Sequence, residues 1–332
     1  SMNKTLVYLF DINSKDSRYS LIKRCARAYL QTYDLNEYDF TILKDTKGKP
    51  YFKDVPLFFN LSHSLKYWVL AISDQPIGID VQNKLNNKAI AIAQRFFHPQ
   101  EAKLIIEHET MFFDVWSAKE SYVKYHGWGI DDHFKDFSVV DDDHIKKMID
   151  NVYLHHLTSD EDYSLCVATE SSSCDLIDMR IKLRALSYDN QTAALTLIKE
   201  YITELNVDLS FQALTNELDD LLTIYGPPKG YFCLAYINEI AVGCVGIKPI
   251  TDQIGELKRL YVKPKYRGYH VASQLMTSAL DQAKLMGYDR LYLDTLSSLH
   301  EAIALYEKIG FERMPAYYDN PLPNVFYYQI KL

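Results

Sequence analysis

Glycine and proline are scarce, at 12 and 11 in 332 residues. That excludes a collagen-like or low-complexity chain, and an apolar content of 48 % excludes a disordered one. Cysteine is sparse too. Cys25, Cys166, Cys174, Cys233 and Cys244 are odd in number and include no CxxC pair. Neither a disulfide framework nor a thiolate metal site is expected, and the five read as core thiols in a reducing compartment. Long apolar runs are missing: the most apolar stretch, 233–247, is broken by Asn238 and Glu239 and cannot span a bilayer. No basic region followed by an apolar run opens the chain, so no secretory signal is expected and the cytoplasm is the default location. Basic excess is lacking as well. A net charge of −8 argues against generic binding to nucleic acid or to an anionic membrane, and leaves any anionic ligand to a local basic patch.

What remains is a globular chain long enough for two cores, rich in aromatics, with 26 tyrosines. Residues 6–12 read as a strand and 17–32 as a helix with apolar residues at helical spacing and Arg18 at its start. Gly48-Lys-Pro50 makes a turn that carries Lys49. In 58–64, small polar side chains, Ser62 among them, cluster around His63; such a group at a strand end can donate to phosphate oxygens, or can be an ordinary serine-rich turn. Residues 67–73 and 77–82 read as strands. Asp80 lies inside the second, where a carboxylate costs desolvation unless a cation or metal pairs with it, and Gln82 shares its face. Two helices follow, over 88–97 and from Pro99. A third, about 112–125, stops at Gly127 and contains Trp116-Ser-Ala-Lys-Glu-Ser-Tyr-Val-Lys124. Trp116, Glu120 and Lys124 fall on one face. A Glu–Lys pair at this spacing is ordinarily a solvated surface pair contributing about 0.3 kcal/mol. Residues 137–140, 151–157 and 163–169 read as closing strands.

The order Gly-Lys-Pro, Ser-His-Ser, Gly-Ile-Asp, Trp-Ser-Ala-Lys-Glu-Ser resembles the Sfp-type 4′-phosphopantetheinyl transferases, across about residues 1–172. The resemblance implies a fold of two pseudo-twofold α+β halves and a reaction in which coenzyme A gives phosphopantetheine to a serine of an acyl or peptidyl carrier protein, of peptide-synthetase, polyketide or fatty-acid type. It implies Mg²⁺ on Asp80 and Glu120, with Gln82 standing where family members often carry Glu; weaker metal binding, or a water in its place, follows. Lys124, His63, Ser62 and Lys49 would meet phosphate, Arg18 the nucleotide end, and Glu120, directly or through a water, would be the base.

Residues 171–174 mark a junction. The expected division is a first domain over 1–172, a linker over 173–178 and a second domain over 179–332. In the second, strands at 179–186, 231–236, 240–247, 255–262 and 291–294 alternate with helices at 190–205, 211–223, about 272–286 and 302–310. The strand–basic turn–helix at 255–272 can bind an anion through backbone N–H groups, or can be a plain connection. These segments resemble the GNAT acyl-CoA N-acyltransferases. That implies acetyl-CoA in a splay between two parallel strands, with Leu260, Tyr261 and Val262 on the pantetheine and Arg267, Gly268 and Ala272 on the pyrophosphate. Tyr306 would protonate the thiolate, and Glu256, direct or through water, would be the base for a small-molecule or peptide amine. His270 stands where a glycine is expected, so it either crowds the phosphates or points outward. The overall expectation is an α+β and α/β bifunctional enzyme using coenzyme A; the alternative is a transferase joined to a non-catalytic module that binds acyl-CoA or a carrier protein.

Overall fold

The computed structural model describes residues 2–35, 37–85, 88–129, 133–157, 160–210 and 214–332. The chain forms two compact units, Ser1–Arg180 and Ile181–Leu332.

The first unit is built around two four-stranded sheets, with two short two-stranded ones. Strands β1 (Thr5–Asp11), β2 (Ile42–Lys44), β3 (Pro50–Phe52), β4 (Phe58–Ser64), β5 (Tyr67–Ser73) and β6 (Ile77–Asn83) come first. Helix α1 (Arg18–Gln31) sits between β1 and β2; α2 (Ala89–Phe96), α3 (Pro99–Glu107) and α4 (Phe112–His126) follow β6. Then come β7 (Val140–Asp141), β8 (His144–Ile145), β9 (Met148–Ile149), β10 (Val152–His156), β11 (Tyr163–Thr169) and β12 (Cys174–Asp178). The short sheets are β2–β3 and β7–β8. One four-stranded sheet runs β12-β1-β5-β4 and the other β6-β11-β10-β9. They share a core in which Val7, Leu9, Val69 and Ala71 meet Ile77, Ile79, Leu165 and Val167. Helix α1 buries Leu21, Ile22, Cys25 and Tyr29. Helix α4 is buried along most of its length and ends where Gly127 adopts φ +70.

The expected linker is corrected. Residues 174–178 form β12, which pairs in parallel with β1 from Thr5↔Cys174 to Leu9↔Asp178. Met179 N then donates to Leu9 O, and the Arg180 guanidinium folds back on Asp178 at 2.9 and 2.7 Å. This local clamp delays the next strand, expected from 179, until Lys182. The expected strand at 137–140 is reduced to the short β7.

The second unit is one seven-stranded sheet, β13-β14-β15-β16-β17-β19-β18. Its strands are β13 (Lys182–Ala185), β14 (Tyr231–Ile237), β15 (Ile240–Pro249), β16 (Ile254–Val262), β17 (Arg290–Leu296), β18 (Glu312–Met314) and β19 (Val325–Lys331). Its helices are α5 (Gln191–Leu205), α6 (Leu214–Asp219), α7 (Leu221–Ile224), α8 (Val271–Leu285) and α9 (His300–Ile309). The helix expected over 211–223 appears as two short ones, and its first three positions lie outside the described residues. All neighbouring pairs are antiparallel except β16–β17. That parallel pair is in register only at Ile254↔Arg290, Gly255↔Leu291 and Glu256↔Tyr292. Beyond Glu256 the two strands diverge and leave a cleft. No helix among the described residues is long and apolar enough to cross a membrane.

Candidate active sites

In the first unit, β4 and β6 are edge strands of different sheets, and side chains join them. Asn60 Oδ1, Ser62 Oγ and Ser64 Oγ accept from the backbone N–H groups of Ile79, Val81 and Asn83 at 2.9, 3.1 and 3.0 Å. The spacing of two puts these three side chains on one face of β4 and His63 on the other. Ser62 is buried, donates to Asp80 Oδ1 at 3.2 Å and accepts from Val81. Its expected phosphate role is therefore corrected: the hydroxyl is committed to the seam and to Asp80.

Asp80 is 4 % exposed. Its Oδ1 lies 3.5 Å from Lys124 Nζ, and its Oδ2 accepts from Gln82 Nε2 at 2.9 Å. Burial pushes the Asp80 carboxyl up, outweighing Lys124, Gln82 and Ser62, which hold it down. The amide nitrogen of Gln82, rather than its oxygen, faces the carboxylate. Gln82 therefore orients Asp80 here and is not presented as a ligand, which corrects the expected three-residue set.

Helix α4 reaches this point because β6 carries Gly78. A Cβ at that position would lie 1.9 Å from Ser121 O and 2.5 Å from Tyr125 N. The close approach sets Lys124 over the strand, where Nζ donates to Ile79 O at 2.9 Å. Glu120, one turn earlier, is buried, at 5 % exposure. Lys49 Nζ donates to Lys124 O at 3.3 Å and Lys47 Nζ to Gly127 O at 3.2 Å, so lysines on either side of Gly48 meet the carbonyls at the end of α4. Burial pushes Lys49 down. His63 is exposed and pushed down, first by partial burial and then by Lys15, Lys124 and Arg18. An imidazole ringed by three cations marks a basic surface suited to an anion. Arg18 opens α1 and donates to Lys15 O at 3.3 Å.

Among the described residues, no group of three or more His, Cys, Asp or Glu side chains comes together to hold a metal. Asp80 and Glu120 are both hard oxygen donors. Mg²⁺ is commonly held by one or two carboxylates plus phosphate and water oxygens, so the pair fits that ion. The desolvation of Asp80 points the same way, because a cation would offset it.

In the second unit, the cleft beyond Glu256 is lined by Leu260, Asp294, Tyr306 and Asn320 among others. Tyr306 is buried, and burial pushes its phenol up. Glu256 Oε2 accepts from Tyr317 at 2.7 Å, and Oε1 lies 3.7 Å from Lys258 Nζ. Leu260 lines the cleft. Tyr261 turns toward α5, against Tyr201 at 5.8 Å, with its phenol pushed up to about 12 by burial first. Val262 is buried at the strand end.

The turn before α8 takes the left-handed conformation at Gly268 (φ +85) and at His270 (φ +67). His270 thus adopts the backbone that a glycine would take, at a cost of about 1 kcal/mol, and its side chain is exposed. The turn leaves the N-terminal amides of α8, including Ala272, at its mouth. Arg267 donates to Val262 O at 3.0 Å and to both oxygens of Glu204 at 2.7 and 2.8 Å. Lys263 lies 3.5 Å from Glu200.

Residues 197–311 match the family model described as acetyltransferase (GNAT) family. An uncharacterized N-acetyltransferase of Schizosaccharomyces pombe is 37 % identical over 138 residues, covering 41 % of this chain and 85 % of that protein. The chain belongs to the GNAT acetyltransferase family. A second GNAT relative, the uncharacterized N-acetyltransferase YjgM of Escherichia coli, is 36 % identical, with 40 % and 82 % covered. Ahead of the GNAT unit, residues 76–175 match the model of the 4′-phosphopantetheinyl transferase superfamily. A 4′-phosphopantetheinyl transferase of Bacillus subtilis is 36 % identical over 146 residues, covering 40 % of this chain and 65 % of that protein. The chain spans between 38 and 65 % of the length of the phosphopantetheinyl transferases of Bacillus and Aneurinibacillus that it matches. It joins a domain of that superfamily to a GNAT domain, and both are transferase families.

Several residues of these sites escape sequence reasoning. Lys119, beside Glu120, is fully buried and paired with Glu101 at 2.8 Å. The GNAT unit holds Arg259 at φ +61 within β16, its guanidinium on both oxygens of Glu217. Each sits beside other charged or polar residues, Lys119 next to Glu120 and Arg259 next to Lys258, so the sequence alone does not single it out as buried.

Proposed function

We propose that the first unit transfers 4′-phosphopantetheine from coenzyme A to a serine of an acyl or peptidyl carrier protein. The observation that carries this is the buried Asp80 carboxylate 3.5 Å from Lys124, on a helix whose preceding turn presents Glu120. Phosphoryl transfer needs positioning and charge neutralisation more than covalent chemistry from the protein. Mg²⁺ bound by Asp80 and Glu120 would supply part of that neutralisation. Lys124 and Lys49 give cationic contacts to the phosphate oxygens, and His63 with Arg18 the outer rim. Glu120, directly or through a water, accepts the proton of the serine hydroxyl as its oxygen bonds to phosphorus and 3′,5′-ADP departs.

The GNAT unit, in the same reading, transfers acetyl from acetyl-CoA to an amine. The amine nitrogen bonds to the thioester carbonyl carbon, the C–S bond breaks, Tyr306 gives its proton to the thiolate and Glu256 accepts one from the amine, directly or through a water. Burial raises the Tyr306 phenol, so it carries its proton before the C–S bond breaks. Arg267, Gly268 and Ala272 are assigned to the pyrophosphate. The Glu204–Arg267 pair favours a second reading, a non-catalytic acyl-CoA or carrier-protein module, because the cation is already occupied. Five free thiols suit a reducing compartment such as the cytoplasm.

Mass spectrometry of a carrier-protein panel incubated with coenzyme A and Mg²⁺ tests the first activity. A mass gain of one phosphopantetheine is expected with the wild type and absent with Lys124→Ala and Glu120→Ala. Normal loading by both variants refutes the assignment. For the GNAT unit, release of coenzyme A from acetyl-CoA above the no-amine background separates the two readings.

A further inference from the structure

The cleft where β16 and β17 part is narrow, with a volume of about 50 Å³. A water needs about 10–15 Å³ of such space, so the cleft suits a group of a few heavy atoms, the size of an acetyl. The side chains lining it that can donate a hydrogen bond are Tyr201, Lys258, Arg259, Thr295, Tyr306 and Asn320. Most of these are engaged. The Arg259 guanidinium is turned to both oxygens of Glu217. Lys258 Nζ lies 3.7 Å from Glu256 and is drawn to Asp294 as well. Thr295 donates to Leu296 O at 3.5 Å, and Asn320 Nδ2 to Asp294 at 3.2 Å and to the Tyr318 hydroxyl at 2.9 Å. That leaves the two phenols, one from α5 and one from α9.

Tyr201 reaches the cleft because it continues the apolar stripe of α5, Ala194, Leu197 and Ile198, one turn further on. Its ring lies 5.8 Å from that of Tyr261, which sets it against β16. Burial pushes its phenol up to about 12, with the Arg259 guanidinium pulling it down. A phenol in this state is protonated at neutral pH and able to donate, and the cation beside it strengthens donation to an oxygen that gains negative charge. The Tyr306 phenol is raised by burial first and then by Tyr201 and Asp294, so the two phenols lie within electrostatic reach of each other.

We infer that Tyr201 is a further catalytic residue of the GNAT unit, its hydroxyl donating to the thioester carbonyl oxygen of acetyl-CoA and to the oxyanion that this oxygen becomes. The inference rests on the acetyltransfer reading above, in which Tyr306 serves the sulfur. A thioester has two atoms that gain negative charge during transfer, and the cleft brings one phenol for each. The amine nitrogen bonds to the carbonyl carbon and the carbonyl pair moves to oxygen, where Tyr201 donates without giving up its proton. The pair then returns, the C–S bond breaks, the sulfur takes the proton of Tyr306 and the amine proton goes to Glu256. Tyr201 ends as it began, and no further reactant is needed.

Infrared difference spectroscopy tests this on the full chain, with acetyl-CoA isotope-labelled at the carbonyl carbon as the probe and no amine present. A hydrogen bond weakens the C=O bond, so the bound probe should absorb at lower frequency than the free one. Tyr201→Phe, which keeps the ring, should return the band toward its free position, while Tyr306→Phe leaves it displaced. Calorimetry should show acetyl-CoA binding to Tyr201→Phe changed by less than about threefold, because the contact strengthens only as charge develops. In thiol release with a panel of primary amines, kcat should fall about a hundredfold in Tyr201→Phe, the usual effect of removing one donor to an oxyanion. A band that Tyr201→Phe does not move, or that Tyr306→Phe moves instead, overturns the inference and leaves acetyltransfer standing. A wild-type band at the free position does the same without any variant. A displaced band with no amine turned over keeps the carbonyl contact and removes the acetyltransfer reading. No binding of acetyl-CoA overturns both.

Discussion

Replacing Lys119 by Met should unfold the first unit far more easily. Both Lys119 and Glu101 have fully buried side chains, 2.8 Å apart. Glu101 also accepts from the backbone N–H groups of His98 and Val139 at 2.9 and 2.8 Å, and Lys119 donates to Phe137 O at 2.8 Å. Burial pushes the carboxyl up and the ammonium down, and their mutual attraction opposes both shifts. Removing one partner of such a pair strands the other charge and costs about 3–5 kcal/mol, whereas neutralising both costs much less. With a urea slope of about 2 kcal/mol per M, Lys119→Met should lower the midpoint by about 2 M. Adding Glu101→Gln should recover most of that. Tryptophan fluorescence is the natural assay, because Trp68, Trp116 and Trp128 all lie in the first unit. A single variant within about 1 kcal/mol of wild type, or a double variant no more stable than the single, would refute the reasoning.

Gly78→Ala should destabilise the same unit by about 3 kcal/mol or more, since the new methyl collides with backbone that cannot move independently; a circular-dichroism melt within a degree of wild type contradicts this. Carrier loading should fall with it, as α4 is pushed off β6. His63 is held below its ordinary value of 6.5, so the folded state binds its proton less readily than the unfolded chain. Its contribution is fully present above about pH 6.5 and is lost as pH falls from there toward the folded value. Binding of 3′,5′-ADP should reverse the cationic part of that shift and take up a proton in this window. Calorimetry in two buffers of different ionisation heat reads the uptake, and equal values for wild type and His63→Gln would be contrary evidence. Gln82→Glu should raise the Mg²⁺ affinity of carrier loading while lowering the melting temperature without metal, because a second carboxylate then faces Asp80; an unchanged Mg²⁺ titration speaks against it.

The residues that bear the chemistry were legible because they are polar groups at fixed spacing in apolar segments. Asp80, Glu120 and Lys124 announce themselves in this way, and so does the strand–turn–helix around Arg267. The commitment of Ser62 is invisible in the sequence because a side chain bridging two edge strands leaves no local pattern. Period two nevertheless already separated it from His63. The strand at 174–178 reads as a linker in the sequence because its partner, β1, lies about 170 residues away, and parallel pairing between distant segments has no signature in either. His270 shows the reverse case. A rule that reserved its position for glycine identified the right backbone and overstated the restriction, since a histidine occupies the left-handed region with its ring in solvent.

The pairing of Arg267 with Glu204 has a consequence for selectivity. An anion arriving at the turn before α8 finds a guanidinium whose two-pronged contact is already made. A small monoanion would exchange one such contact for an equivalent one and gain nothing by it. A pyrophosphate that reaches the α8 amides as well as the guanidinium gains a set of contacts that Glu204 does not provide. On the pyrophosphate role proposed above, the resident carboxylate would act as a threshold, keeping abundant simple anions off the turn and admitting a ligand that brings two charged groups together.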